Sequence, residues 1–260
     1  MVSCIVFDLD GVVYLGASGI PGVAAEIARL QKKMPVLFLT NNATKSRIEY
    51  VRHLAAYGIG VKAADVMTAS FGCARYIDEE YGKGKRICLV GEQGFRDELE
   101  EEAGAIIVSK NAEIVACGLD RQVTYGKLDA ALRCLNAGAK FVLANSDPTI
   151  PREHGASPGS GAIAAALIYA SGRKPDAVVG KPSVYLIKKL LQMHKIKARN
   201  SVFVGDRLEI DIRMANKMGM KSVLVLTGVA KRKDVARAPK SDTPWKIIRS
   251  AADIGKTLGI

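Results

Sequence analysis

The stretch Val2–Leu15, VSCIVFDLDGVVYL, is the starting point for the interpretation of this sequence. Its first half, Ser3–Phe7, is a short apolar run without polar alternation, which is typical of a strand buried on both faces of a parallel sheet. Asp8 and Asp10 follow, and Gly11 supplies a bend. Ligands of an open parallel sheet bind just beyond the carboxyl ends of its strands. The stretch therefore predicts either a functional pair of carboxylates or an ordinary aspartate-rich turn.

Strand and helix patterns alternate along the rest of the chain, which predicts an α/β fold with a parallel sheet. Further buried strands are predicted at Val36–Leu39, Val178–Val179 and Ser201–Val204. A basic, glycine-rich break at 82–85 begins a second α/β segment that has no acidic motif at its strand ends. We predict a discontinuous core domain of residues 1–81 and 178–260, with residues 82–177 inserted as a second domain.

Polar residues follow several predicted strands of the core, namely Thr40, Lys181 and Asp206, with Asp211 five residues beyond Asp206. Because the carboxyl ends of parallel strands meet at one edge of a sheet, these side chains are expected to converge with the first acid pair. Carboxylates around a hard cation, together with a lysine and a hydroxyl donor, suit phosphoryl transfer. Asp211 is predicted to orient the metal ligands by accepting hydrogen bonds, without binding the metal itself.

Each group has a predicted role in that chemistry. Asp8 attacks phosphorus and forms an aspartyl-phosphate, and Asp10 protonates the leaving oxygen and then activates water. Asp8 and Asp206 hold Mg²⁺, the predicted cofactor, which prefers a few carboxylates together with water and phosphate oxygens. Thr40 donates to a phosphoryl oxygen, and Lys181 offsets charge on the phosphate and the nucleophile.

Four motifs carry a resemblance to a known family: DLDGV at Asp8–Val12, LTNN at Leu39–Asn42, GKPS at Gly180–Ser183 and GDRLEID at Gly205–Asp211. In this order they are similar to the motifs of the haloacid dehalogenase (HAD) superfamily of phosphatases, and the resemblance spans nearly the whole chain. It implies a Rossmann-like parallel-sheet core with an inserted α/β cap domain of type C2.

The same resemblance implies further site residues. Asp10 would also contribute its main-chain carbonyl to Mg²⁺. Gly11, Asn41 and Asn42 would lie at the phosphate, beside the threonine and the lysine described above.

A long polar segment, NSDPTIPREHGASPGSGA at Asn145–Ala162, is similar to the cap-domain loop of HAD subfamily IIA. That subfamily includes the N-acetylglucosamine-operon phosphatase and the 4-nitrophenyl, phosphoglycolate and pyridoxal-phosphate phosphatases. A structureless loop of this length is usually functional or disordered. Asn145 and Asp147 are predicted to contact the substrate, and His154 is interpreted as an exposed loop residue. Caps in this family often carry a dimer contact, so a homodimer through the cap is expected.

The composition of the chain bears on nucleic-acid binding, on cellular compartment and on membrane insertion. The net charge of +12 is concentrated toward the C-terminus, but aromatic residues are not interleaved there as a nucleic-acid stacking surface requires. A solvated basic face or a funnel for anionic substrates is therefore favoured over nucleic-acid binding. The five cysteines are scattered and form no Cys-x-x-Cys pair, which indicates a reduced, cytoplasmic protein. No apolar run is long enough to span a membrane, and His53 and His194 are assigned to polar helix faces without a role.

The predicted function is Mg²⁺-dependent hydrolysis of small phosphomonoesters. Candidate substrates are phosphoglycolate, sugar phosphates, pyridoxal phosphate and nucleotides, with 4-nitrophenyl phosphate as a test substrate. A phosphotransferase or phosphomutase with the same intermediate and a non-enzymatic, basic nucleic-acid-binding protein are the alternatives. A phospho-aspartate signalling receiver is disfavoured, because its acceptor is expected mid-sheet in a much shorter chain.

Overall fold

The strands of this chain form where short apolar runs are bounded by turn residues. The computed structural model describes residues 2–152 and 155–260. Its strands are β1 (Cys4–Phe7), β2 (Tyr14–Leu15), β3 (Ser18–Gly19), β4 (Val36–Thr40), β5 (Val66–Thr68), β6 (Arg86–Val90), β7 (Ile106–Ile107), β8 (Ile114–Cys117), β9 (Lys140–Leu143), β10 (Thr149–Arg152), β11 (Gly155–Pro158), β12 (Ala177–Val178), β13 (Ser201–Gly205), β14 (Lys221–Val225) and β15 (Lys246–Ile248).

The helices of the described chain bury part of their surface, as Val23, Ile27 and Leu30 do at helical spacing in the first of them, except the short helix at Arg232–Val235, which has no buried residue. They are α1 (Val23–Gln31), α2 (Arg47–Ala55), α3 (Ala69–Tyr81), α4 (Gln93–Ala103), α5 (Tyr125–Asn136), α6 (Ser160–Ser171), α7 (Tyr185–Met193), α8 (Arg213–Lys217), α9 (Arg232–Val235) and α10 (Ile254–Leu258). A π-helical turn at Leu208–Ile212 precedes α8.

Strand β1 is an inner strand of a six-stranded sheet with the order β15–β14–β13–β1–β4–β5. It pairs in parallel with β13 on one side and with β4 on the other. All four of its residues are buried, as expected for an apolar strand without alternation. The sheet gathers strands from both ends of the chain, and the predicted α/β fold built on parallel sheets is confirmed.

The chain divides into two compact units. The first comprises residues up to Thr40, Tyr50–Met67 and Lys181–Ile260, and the second comprises Asn41–Glu49 and Thr68–Gly180. A five-stranded sheet with the order β12–β9–β8–β6–β7 forms the centre of the second unit, and its strands also pair in parallel. The domain boundaries given above stay a prediction.

One predicted strand joins a different sheet. Ala177–Val178 pairs with β9 in the five-stranded sheet, so the interpretation of Val178–Val179 as a strand of the sheet that contains β1 is wrong. Both sheets are built from short, buried, β-branched runs. The local pattern therefore identifies a strand but does not identify the sheet that it joins.

The segment 145–159 is not structureless, contrary to the prediction. It contains an antiparallel ribbon in which Thr149 lies opposite Pro158 and Ile150 lies opposite Ser157. Proline is rare in central strands but tolerated at strand edges, so a two-stranded ribbon can include it. His154, between the two strands in sequence, lies outside the described residues.

The structure differs from the sequence prediction in three smaller respects. Strand β15 and the β2–β3 ribbon were not predicted from the sequence pattern. The sequence pattern also predicts a final helix near Ser250 to Leu258, and the structure has a 3₁₀ turn at Ala251–Asp253 that continues into α10. No helix among the described residues has the length and apolar character needed to cross a membrane.

Candidate active site

Lys181 is the central contact of a buried charge cluster in the first unit. Its Nζ donates hydrogen bonds to Oδ1 of Asp8 and to Oδ1 of Asp211, each over 2.7 Å. Lys181 is 2% exposed, Asp8 6% and Asp211 not at all. Burial lowers the pKa of Lys181, but the two carboxylates outweigh it and hold the pKa above its ordinary value. Lys181 is therefore a fixed cation between two acids.

Asp8 directly follows the last residue of β1, and its backbone N–H donates to the Val204 carbonyl over 2.8 Å. Burial raises the pKa of Asp8 well above its ordinary value, and the neighbouring Asp211 and Asp206 raise it further, while Lys181 opposes both. A buried carboxyl surrounded by other acids needs positive charge to stay ionised.

Asp206 follows β13 and is held by the loop after β14. Its Oδ2 accepts the Val229 N–H over 2.8 Å, and its carbonyl accepts the Ala230 N–H over 3.1 Å. Burial raises its pKa to about 7, with Asp211 the next cause. A Cβ at either Gly11 or Gly228 would overlap this carboxylate, so glycine is required at both positions. From the sequence, Gly11 is predicted to supply a bend and to lie at the phosphate, whereas its contact with Asp206 and the whole role of Gly228 were not predicted.

Asp211 lies on the π-helical turn, behind the other acids. Its Oδ2 accepts the backbone N–H groups of Asp206 (3.2 Å) and Arg207 (3.0 Å), while Oδ1 accepts Lys181. The residue therefore fixes both the loop that carries Asp206 and the lysine that contacts Asp8.

The donor set fits a divalent cation. One carboxylate oxygen from each of Asp8, Asp206 and Asp211 lies within 4.8 Å of the others. Asp211 commits both oxygens to hydrogen bonds, whereas Asp8 and Asp206 each keep one oxygen that no described hydrogen bond occupies. Three buried acids against one lysine leave excess negative charge, and such oxygen ligands suit Mg²⁺.

Asp10 and Thr40 are the remaining predicted site residues of the first unit. Asp10 is exposed, and its Oδ2 accepts the hydroxyl of Tyr14 over 3.4 Å. Thr40 ends β4, is 2% exposed and is hydrogen-bonded to the hydroxyl of Tyr50. Neither tyrosine was predicted as a partner of these site residues, because an aromatic residue beside an apolar run usually indicates only core packing.

The residues predicted to contact substrate from the second unit are joined to one another there. Asn41 Nδ2 donates to Asp147 Oδ2 over 3.0 Å, and Asn145 Nδ2 donates to the Asn41 carbonyl over 2.7 Å. Asn145 Oδ1 also accepts the Asp147 N–H. Asn42 instead accepts the N–H and hydroxyl of Thr44, which is a local turn contact.

Not all of the predicted site residues lie at strand ends of the six-stranded sheet. Asp8, Thr40 and Asp206 follow strands of the six-stranded sheet, as predicted. Lys181 does not, because the strand before it belongs to the other sheet. The prediction from strand ends therefore named Lys181 on a wrong premise, whereas the GKPS motif indicates the same residue independently of the sheet.

Comparison with known proteins identifies the family. Residues 5–104 match a family described as haloacid dehalogenase-like hydrolases, and residues 178–254 match a HAD-hydrolase-like family. An acid sugar phosphatase from Staphylococcus haemolyticus is 33% identical over 237 residues, which cover 91% of this chain and 89% of that protein. The chain belongs to the haloacid dehalogenase-like hydrolases, and the predicted family and enzyme class are confirmed.

Two solved structures are similar over almost the whole chain. A p-nitrophenyl phosphatase from Archaeoglobus fulgidus has a TM-score of 0.91 and 30% identity, with 98% of each chain covered. A glycerol phosphate phosphatase from Mycobacterium tuberculosis, solved in complex with magnesium, has a TM-score of 0.88 and 32% identity. The second match covers 96% of this chain and 75% of that one.

Proposed function

We propose that this chain is a Mg²⁺-dependent phosphatase that hydrolyses small phosphomonoesters through an aspartyl-phosphate on Asp8. The observation that carries the proposal is the buried Lys181 ammonium, 2.7 Å from both Asp8 and Asp211, next to the Asp206 carboxylate. A buried acid fixed by a lysine at a strand end is a suitable nucleophile, because its attacking group is held in one orientation.

In the first step an oxygen of Asp8 attacks phosphorus, and the bond between phosphorus and the leaving oxygen breaks. Asp10 gives its proton to that oxygen, so an alcohol leaves. In the second step Asp10 takes a proton from water as the water oxygen attacks phosphorus. The bond to Asp8 then breaks, which frees inorganic phosphate and restores both acids.

The surrounding residues stabilise charge during these steps. Lys181 holds Asp8 in place and balances part of the negative charge on the phosphoryl group. Thr40 would donate its hydroxyl to a phosphoryl oxygen. Asp8, Asp206 and the Asp10 carbonyl would hold Mg²⁺, which when bound supplies positive charge to the phosphoryl oxygens.

The substrate class follows from the relatives. They are named for sugar phosphate, glycerol phosphate and p-nitrophenyl phosphate, all of which are small organic monoesters. Phosphoglycolate, pyridoxal phosphate and nucleotides belong to the same proposed class. A phosphotransferase or phosphomutase would use the same intermediate, and only product analysis separates it from a hydrolase.

The remaining proposals concern organisation. We propose a core domain of residues 1–81 and 178–260, a cap domain of residues 82–177 and a homodimer through the cap. The five cysteines are free and buried, which supports a cytoplasmic location.

The test is release of nitrophenol from 4-nitrophenyl phosphate with and without Mg²⁺. We expect metal-dependent release in the wild type and its loss in Asp8→Asn. Asp253→Asn is the matched control, because Asp253 is exposed and lies in the 3₁₀ turn before α10. Full metal-dependent activity in Asp8→Asn would exclude the covalent mechanism.

A further inference from the structure

Tyr14 connects an exposed acid to the interior of the first unit. It is 3% exposed, and its hydroxyl donates to Oδ2 of Asp10 over 3.4 Å. The backbone between them is a tight loop, in which Gly11 N–H donates to the Tyr14 carbonyl (2.7 Å) and Val13 N–H donates to the Leu9 carbonyl (2.8 Å). The loop therefore holds the phenol and the carboxylate at a fixed separation.

The ring of Tyr14 is itself held by aromatic neighbours. It stacks on Tyr57 with the ring centroids 5.4 Å apart, and it meets His53 edge-on at 5.0 Å. Such contacts restrict a ring to one rotamer and stabilise the pair beyond simple burial. The ring of His53, which was assigned to a polar helix face, packs among these tyrosines, and the absence of a catalytic role for His53 stays a prediction.

Tyr50 extends the contact to a second site residue. It is 1% exposed, lies on α2 and is hydrogen-bonded to both Tyr14 and Thr40. The hydroxyl of Tyr14 thus lies between Asp10 and Tyr50, and the hydroxyl of Tyr50 lies between Tyr14 and Thr40. Asp10 and Thr40 have different proposed roles, proton transfer and phosphoryl binding.

We propose that Tyr14 is a positioning residue that holds the Asp10 carboxyl in the orientation needed to protonate the leaving oxygen, with Tyr50 bracing it against Thr40. An exposed aspartate otherwise samples several rotamers. This inference rests on the proposed function, because it assigns a partner to the acid of that mechanism.

Leaving-group dependence tests the inference. Substituted phenyl phosphates keep one shape while the basicity of the leaving phenol varies, from 4-nitrophenyl to phenyl to 4-methylphenyl phosphate. The weakly basic nitrophenolate leaves without a proton, whereas the more basic phenolates need Asp10. We expect Tyr14→Phe to lower kcat/KM for 4-methylphenyl phosphate about 10- to 100-fold, and to change it less than about 3-fold for 4-nitrophenyl phosphate.

The controls separate positioning from a general structural effect. Tyr57→Phe removes a hydroxyl from the same aromatic cluster, one that donates to the Ala17 carbonyl rather than to Asp10. It should keep the leaving-group dependence of the wild type. In an Asp10→Asn background, Tyr14→Phe should have no further effect on kcat/KM, because the group that it positions is already removed.

An equal loss of kcat/KM for all phenyl phosphates in Tyr14→Phe, or no loss for any, would overturn the inference. An additive loss in the double variant would do the same, and it remains measurable if Tyr14→Phe is less stable. The proposed function fails separately, since its failure appears in Asp8→Asn. A wild type that requires Asp8 but shows no effect of Tyr14 would leave the phosphatase assignment intact.

Discussion

Gly228 packs against the carboxylate of Asp206 so closely that a Cβ atom has no room between them. The neighbouring Val229 N–H donates to the same carboxylate, so the loop after β14 determines where the Asp206 oxygens point. Position 228 therefore controls where a predicted metal ligand lies.

Gly228→Ala should displace Asp206 and weaken metal binding. We expect the Mg²⁺ concentration for half-maximal phosphatase activity to rise about 10- to 100-fold, as for other changes behind metal ligands. Gly60→Ala is the control, because a Cβ at Gly60 meets nothing within 4 Å. An unchanged Mg²⁺ titration in Gly228→Ala would contradict this.

Lys181→Met should both abolish activity and destabilise the first unit. Removing the cation leaves Asp8 and Asp211 buried without their shared partner, and breaking such a pair costs about 3–5 kcal/mol. Urea unfolding in metal-free buffer measures the loss. Lys188→Met, at an exposed position of α7, should unfold like the wild type. Equal stability of the two variants would show that Lys181 does not stabilise the folded protein.

Arg47→Ala should destabilise the second unit. The Arg47 guanidinium contacts both Glu98 and Glu102 and stacks 3.4 Å from the Phe71 ring. Glu98 is 2% exposed, and burial raises its pKa despite Arg47. Losing the guanidinium leaves the buried carboxyl with only the backbone N–H of residue 47 as a donor from that position, at a cost of about 3–5 kcal/mol.

Hydrogen exchange of α4 measures the effect of Arg47→Ala, and protection should fall throughout that helix. Arg47→Lys should restore only part of the protection, since an ammonium lacks the planar fork of arginine. The exposed pair Arg96–Glu100 provides the control, and Arg96→Ala should change little. The same protection in both alanine variants would refute the assignment.

Asp242→Asn should destabilise the protein in a pH-dependent manner. Arg213 donates two hydrogen bonds to Asp242, over 2.8 and 2.6 Å, and these hold the pKa of Asp242 below its ordinary value. A lowered pKa contributes stability above the unfolded value of about 4, and this stability is lost as the pH falls through the folded pKa.

We therefore expect Asp242→Asn to cost about 1–3 kcal/mol at pH 7, with a difference from the wild type that shrinks below about pH 4. Urea unfolding at pH 7, 5 and 3 gives the comparison. A difference that stays constant across these pH values would mean that the ionised carboxylate is not the source of the stability.

Much of the site could be predicted because strand ends are visible in the sequence. Cys4–Phe7 and Val36–Thr40 are uninterrupted apolar runs, so the polar residues that end or follow them stand out. Asp206 stands out in the same way after β13. The same logic named Lys181 on a wrong premise, because the strand before it pairs in the other sheet and that pairing depends on contacts distant in sequence.

Side chains that contact the predicted site residues, without being predicted site residues themselves, were harder to find from the sequence. Tyr14 and Tyr50 are buried aromatics, and their sequence pattern is that of core residues. Only the folded structure shows that their hydroxyls reach Asp10 and Thr40. The ribbon at Thr149–Pro158 was missed for the opposite reason, since prolines and glycines obscure a strand pattern.

The pairing of β1 with β13 has a consequence for synthesis of the protein on the ribosome. The second unit is complete once residue 180 has emerged, whereas Cys4–Phe7 must wait for Ser201–Gly205 to cover one edge. Until then this wholly apolar strand has an unpaired edge, which is a hazard for aggregation. The proposed catalytic site is thus completed late in synthesis, although Asp8, the proposed nucleophile, is among the first residues to be made.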